Sequence, residues 1–150
     1  MNRHLTLKTD THFVMDPLSI TASIAAVLQV TGRIISYLKE VQDAPNDRID
    51  LIIEVSGLKS LLAPLYTRIR EAKSEDPWVT AVVNLGVKDG PLDQIRSALE
   101  RLESKLCPKG LKKFGKRLTW TFDKAEILSI LSKIDRIKTL VTLALANDLW

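Results

Sequence analysis

The chain predicts an all-α fold: an antiparallel four-helix bundle with a short extra helix between the second and third long helices. Three observations predict it. Apolar residues recur at alternating steps of four and three through four long stretches, which is the spacing of one helix face. Proline, glycine and short polar clusters separate those stretches, so the connections are short and successive helices fold back on each other. The one Val-rich run that would suit a strand has no partner strand in the sequence.

At 150 residues with 45% apolar side chains, only six Gly and six Pro, the chain is one domain able to build a core. Residues 1–14 (MNRHLTLKTDTHFV) show no sustained period and read as a disordered leader ahead of Met15. The helical domain is expected over 15–150.

The first long helix runs from Asp16 to Val41. Asp16 is placed as N-cap and Pro17 at the first helical position, where a missing N–H costs nothing. Ile20, Ile24, Val27, Thr31, Ile34, Leu38 and Val41 form its stripe, widened by Leu28 and Ile35. No charged residue occurs in the 16 positions from Pro17 to Gly32. The back of the helix is therefore Ser19, Thr21, Ala22, Ser23, Ala25, Ala26 and Gln29, a face suited to burial or close approach. The uncharged run is shorter than the ~20 residues that span a bilayer as a helix. Asp10 and Asp16 ahead of the apolar run, with no A-x-A-like site after it, do not fit a signal peptide.

A second helix follows Ala44-Pro45, with Leu51, Val55, Leu58, Leu62, Leu65, Ile69 and Ala72 inward and a kink expected at Pro64. Trp78 to Leu85 (WVTAVVNL) is read as the short extra helix. Pro91 starts the third long helix, striped by Leu92, Ile95, Leu99, Leu102 and Leu106 and stopped by Pro108 and Gly110. The fourth begins with a capping box, Asp123 with Glu126, and a hydrophobic staple, Phe122 with Ile127. Ile127, Ile130, Ile134, Ile137, Val141 and Ala144 form its inner stripe.

Charge is local. The chain carries +4 in total with a pI near 9.3, yet 109–124 alone carries +5 and the remainder −1. That connector (KGLKKFGKRLTWTF) sets Lys112, Lys113, Lys116 and Arg117 among Phe114, Trp120 and Phe122. Three readings stay open: a solvated loop whose aromatics tuck under the bundle, contact with an anionic membrane surface, or nucleic acid. The last is disfavoured as a partner because the patch is a loop without a reading motif. The small-residue back of the first helix has two readings as well. Ser19-x-x-x-Ser23 and Ala22-x-x-x-Ala26 allow close helix approach in lipid, or they fit a tight core.

Enzymatic chemistry finds little support. His4 and His12 both lie in the leader, so the helical domain lacks the commonest general base. Cys107 is the only cysteine and has no His partner, which argues against a nucleophile, a disulfide or a cysteine metal cluster. Gly86-Val-Lys-Asp-Gly90 has neither phosphate-loop spacing, and no Glu-x-x-His pair offers a metal site. No enzyme, cofactor or metal is expected. The lone cysteine and the absence of an Asn-x-Ser/Thr acceptor fit an intracellular protein.

Met15-Asp-Pro-Leu-Ser-Ile-Thr-Ala-Ser-Ile-Ala-Ala-Val-Leu-Gln-Val resembles the opening of the N-terminal domain of fungal STAND (NOD-like receptor) proteins, a group that includes HeLo-like domains. Gly90 to Leu106 resembles that family's third helix, Leu118 to Glu126 its aromatic entry to the last helix, and Ile134 to Asp148 the last helix itself. The resemblance implies a four-helix effector domain at the head of a receptor, followed by a nucleotide-binding oligomerisation module and repeats. It implies a cytoplasmic signalling role in programmed cell death or heterokaryon incompatibility, through oligomerisation and recruitment to membranes. A membrane-reaching or self-associating role then falls on Leu18, Ile20, Ile24, Val27, Leu28 and Ile35. The other expectation is a protein–protein adaptor bundle whose first helix stays buried.

Overall fold

The computed structural model describes residues 17–41, 46–73, 75–107, 120 and 122–146. It is all-helical: α1 Pro17–Glu40, α2 Asn46–Glu71, α3 Pro77–Leu85, α4 Pro91–Leu106 and α5 Lys124–Ala146. No strand occurs among the described residues. Pro17, Pro77 and Pro91 each begin a helix, because proline's fixed φ suits the first turn and that turn has no use for its missing N–H. Asp16, Pro108 and Gly110, expected as cap and stop signals, lie outside the described residues. Pro64 sits on the exposed side of α2 and does not end the helix.

The stripes meet as their spacing requires. Ile20, Ile24, Val27, Ile34 and Leu38 of α1 are fully buried, as are Leu51, Val55, Leu58 and Leu62 of α2. Thr31 is the buried polar residue of the α1 stripe. Its hydroxyl donates to the Leu28 carbonyl at 2.7 Å, which satisfies it without leaving the helix. Helix α1 lodges between α2 and α4 and touches α3, while α5 closes against α2, α3 and α4. The Val-rich run is α3, and Trp78, Val79, Val82 and Leu85 are its buried side.

Two of the connections carry a local device. Arg48 Nη1 donates to the Leu38 carbonyl at 3.3 Å, covering one of the acceptors that the end of α1 leaves open. Ahead of α4, Asp89 takes a positive φ of 59°, held by its N–H donating to Asp93 Oδ2 at 2.9 Å. Gly90 follows because a Cβ there would stand 2.8 Å from the Val87 carbonyl oxygen.

Exposed ion pairs tie neighbouring helices: Arg33 to Glu103, Asp47 to Lys124, Glu54 to Lys138, and Lys105 to Glu126. The bond to Glu103 raises the Arg33 pKa above its ordinary value. Pairs of this kind contribute about 0–1 kcal/mol each, against about 1.5–3 kcal/mol for fully burying one Leu or Ile. The stripes hold the fold; the charges help set its register. The α2–α5 pairs rise together, 47 with 124 and 54 with 138, so these helices run in the same direction where they touch.

The start of α5 departs in part from its expected form. Asp123 Oδ1 accepts the Glu126 N–H at 2.8 Å, one half of a capping box. The other half is absent because both Glu126 carboxylate oxygens accept from Lys105 Nζ, at 2.6 and 2.7 Å. Phe122 and Ile127 are both buried in the core, as a staple requires. Asp123→Ala is expected to cost about 0.5–2 kcal/mol. A urea titration of the full chain checks this, and an unchanged midpoint means the cap carries no weight.

Candidate functional site

The first-helix residues singled out by the sequence occupy two environments. Ile20, Ile24 and Val27 are wholly enclosed. Leu28 and Ile35 are partly buried and pack against the core edge. Leu18 lies in α1 but its side chain is outside the described residues. The stripe is therefore engaged within the bundle. The opposite face is shallower: Ser19, Ala22 and Gln29 are exposed, and Thr21, Ser23, Ala25 and Ala26 are half-buried. The small-residue back of α1 thus lines the surface and does not fill the core. Ser23 Oγ donates to the Ser19 carbonyl at 3.2 Å, so part of its polarity is spent inside the helix. Ser19–Glu40 is also long and apolar enough to cross a membrane by length and composition, its most apolar 18 residues having a mean hydropathy of 1.3. A soluble protein's core helix meets the same criteria.

Of the basic-aromatic candidates, Lys112, Lys113, Phe114, Lys116 and Arg117 lie outside the described residues. Trp120 is half-buried, with its ring 5.2 Å from Phe122 at 66°, an edge-to-face contact. Phe122 in turn carries Lys105 Nζ over its ring at 5.0 Å. An amino group so placed gains from the ring's negative face. The aromatic end of the connector is thereby fastened to the end of α4.

A groove of about 870 Å³ opens between α4 and α5 beside this cluster. Its floor is Ala98, Leu102, Phe122 and Ile130, with Ser97, Ala125 and Ser129 on the facing turns. Small side chains there leave the two helices without bulk to interlock, so the seam gapes. Charges line the banks. Lys105 is bonded to Glu126 and Arg96 lies 3.7 Å from Glu100, whereas Arg101 and Lys133 make no ion pair among the described residues. The α4 and α5 stripes are legible in the sequence, but the groove is not, because it depends on how two helices oppose their small residues.

Sequence reading also missed a second surface. Ile49, Ile53 and Leu128 are 49%, 59% and 55% exposed. The signal was available: all three fall off the stripe of their own helix. Beside them Asp50, Ile53, Glu54, Leu131 and Asp135 line a shallow cleft between α2 and α5.

Cys107 is a half-buried free thiol closing α4, its N–H bonded to the Glu103 carbonyl at 2.9 Å. Among the described residues no group of three His, Cys, Asp or Glu side chains is placed to hold a metal ion. Comparison with protein-family models, with curated proteins and with solved structures finds no match.

Proposed function

We propose that this chain is a non-enzymatic signalling module, the N-terminal effector domain of a fungal NLR-like (STAND) receptor. It acts in the cytoplasm by self-association or through an adjoining nucleotide-binding module, and is recruited to anionic membranes during programmed cell death or heterokaryon incompatibility. Support comes from the family-like phrases at Met15–Val30, Gly90–Leu106, Leu118–Glu126 and Ile134–Asp148. In this reading the frame is two antiparallel hairpins, α1–α2 and α4–α5, laid side by side with α3 bridging them.

The observation that carries the proposal is the two-sided character of α1. One side is an aliphatic stripe embedded in the bundle, and the other is a partly exposed face without charge from Ser19 to Gln29. Such a face approaches another helix or a lipid surface without desolvating an ion. Release of α1 would free its aliphatic side as well. The full chain should bind and leak vesicles rich in anionic lipid, with α1 amides losing hydrogen-exchange protection on binding. Ala22→Asp with Gln29→Asp, both exposed, should weaken binding without lowering thermal stability. No leakage at any protein density removes the membrane role.

Complete burial of Ile20, Ile24 and Val27 favours a second reading, a protein–protein adaptor with α1 enclosed throughout. Protection of α1 at the global level with lipid present would select it.

A further inference from the structure

Two surfaces away from the α1 face match each other. The α4–α5 groove has an apolar floor; on its banks Lys105 and Glu126 pair with each other and Glu100 with Arg96, while Arg101 of α4 and Lys133 of α5 make no ion pair among the described residues. The α2–α5 surface has the opposite character. Ile49, Ile53 and Leu128 are exposed along its shallow cleft, and the exposed Asp50 and Asp135, which line that cleft, make no ion pair among the described residues. The aliphatic side chains stand in register: Ile49 and Ile53 are four apart on α2, and Leu128 and Leu131 three apart on α5.

We propose that the exposed aliphatic side chains of the α2–α5 surface of one copy dock into the α4–α5 groove of a second copy. Ile49, Ile53 and Leu128 settle on Leu102, Phe122 and Ile130, and Asp50 and Asp135 face Arg101 and Lys133. The cations select an acidic partner, and the chain presents one. Both surfaces flank α5 on different sides, so a copy cannot fill its own groove. The contact is therefore heterologous, and it propagates into a ring or filament unless its rotation closes at two. Three exposed aliphatics per copy form a small apolar patch, which places the contact in the weak, concentration-dependent class. This inference rests on the self-association half of the proposed function and not on the membrane half.

Sedimentation of the full chain over a concentration series, at low and high salt, tests it. Wild type should associate, less so in high salt. Arg101→Glu with Lys133→Glu, and separately Asp50→Lys with Asp135→Lys, should each weaken self-association about tenfold or more. All four side chains are exposed, and circular dichroism should show native helicity and melting in both variants. Mixed in equal amounts, the two variants meet with opposite charges at both surfaces, and association should return. Wild-type association in both variants would overturn the surface assignment while leaving self-association standing. Loss in both without recovery on mixing would overturn the pairing. A wild-type chain that stays monomeric at every concentration would overturn the docking and the self-association reading together.

Discussion

Ile24→Asp should unfold the bundle. Ile24 has no exposed surface and belongs to the α1 stripe lodged between α2 and α4. Removing the aliphatic side chain forfeits about 2–3 kcal/mol of burial. Leaving a carboxylate in its place adds a desolvation penalty of several kcal/mol, since no buried cation stands in the stripe to receive it. The sum is comparable with the whole stability of a domain this size, about 5–15 kcal/mol. Circular dichroism should show either loss of the cooperative melt at room temperature or a midpoint lower by at least about 10 °C. A native melt would mean that α1 is not a core helix.

That outcome bears on any membrane experiment. A variant that fails to leak vesicles because it never folds says nothing about α1 reaching lipid. Ala22 and Gln29 are the better probes, because both are exposed on the uncharged side of the same helix.

The stripes were legible because a period of about 3.6 residues marks a buried helix face regardless of what lies opposite. Every residue from Leu51 to Ile69 placed inward on α2 is buried, as are Leu92, Ile95, Leu99, Leu102 and Leu106 on α4. Three features escaped for separate reasons. Spacing alone gave the small-residue side of α1 two meanings, and only the placement of α2 and α4 shows it facing outward. The Glu126 carboxylate was expected to reach its own N-cap, but a lysine from the preceding helix claims it, a competition between elements that local spacing does not contain. The groove and the α2–α5 surface arise from pairs of helices. Leu102 and Ile130 read as members of inner stripes and Phe122 as a staple, and a helix read by itself does not show where its stripe faces a gap.

Trp78→Ala should give the second-largest loss and a local one. The composition of Trp78–Leu85 allowed a strand, and the lack of a partner decided for a helix. What holds α3 is tertiary, since a helix of nine residues is marginal in water. Trp78 is only 5% exposed, and the Arg68 guanidinium lies over its ring at 4.8 Å. The ring thus joins the C-terminal part of α2 to the start of α3, while Val79 and Val82 face inward beside it. Truncation to Ala is expected to cost about 3–5 kcal/mol through lost burial and the void left behind. The cation–π contact contributes only about 0.5–1 kcal/mol of that at a partly exposed arginine. Arg68→Ala should therefore be several-fold milder than Trp78→Ala, and this ratio identifies the ring's burial as the larger effect. Denaturant melts give the totals. Hydrogen exchange gives the location: protection should fall first in 77–85 and in the part of α5 that packs on it. Equal losses for the two variants would transfer the weight to the charge. Unchanged exchange in 77–85 for Trp78→Ala would show that α3 is held by its valines and not by the tryptophan.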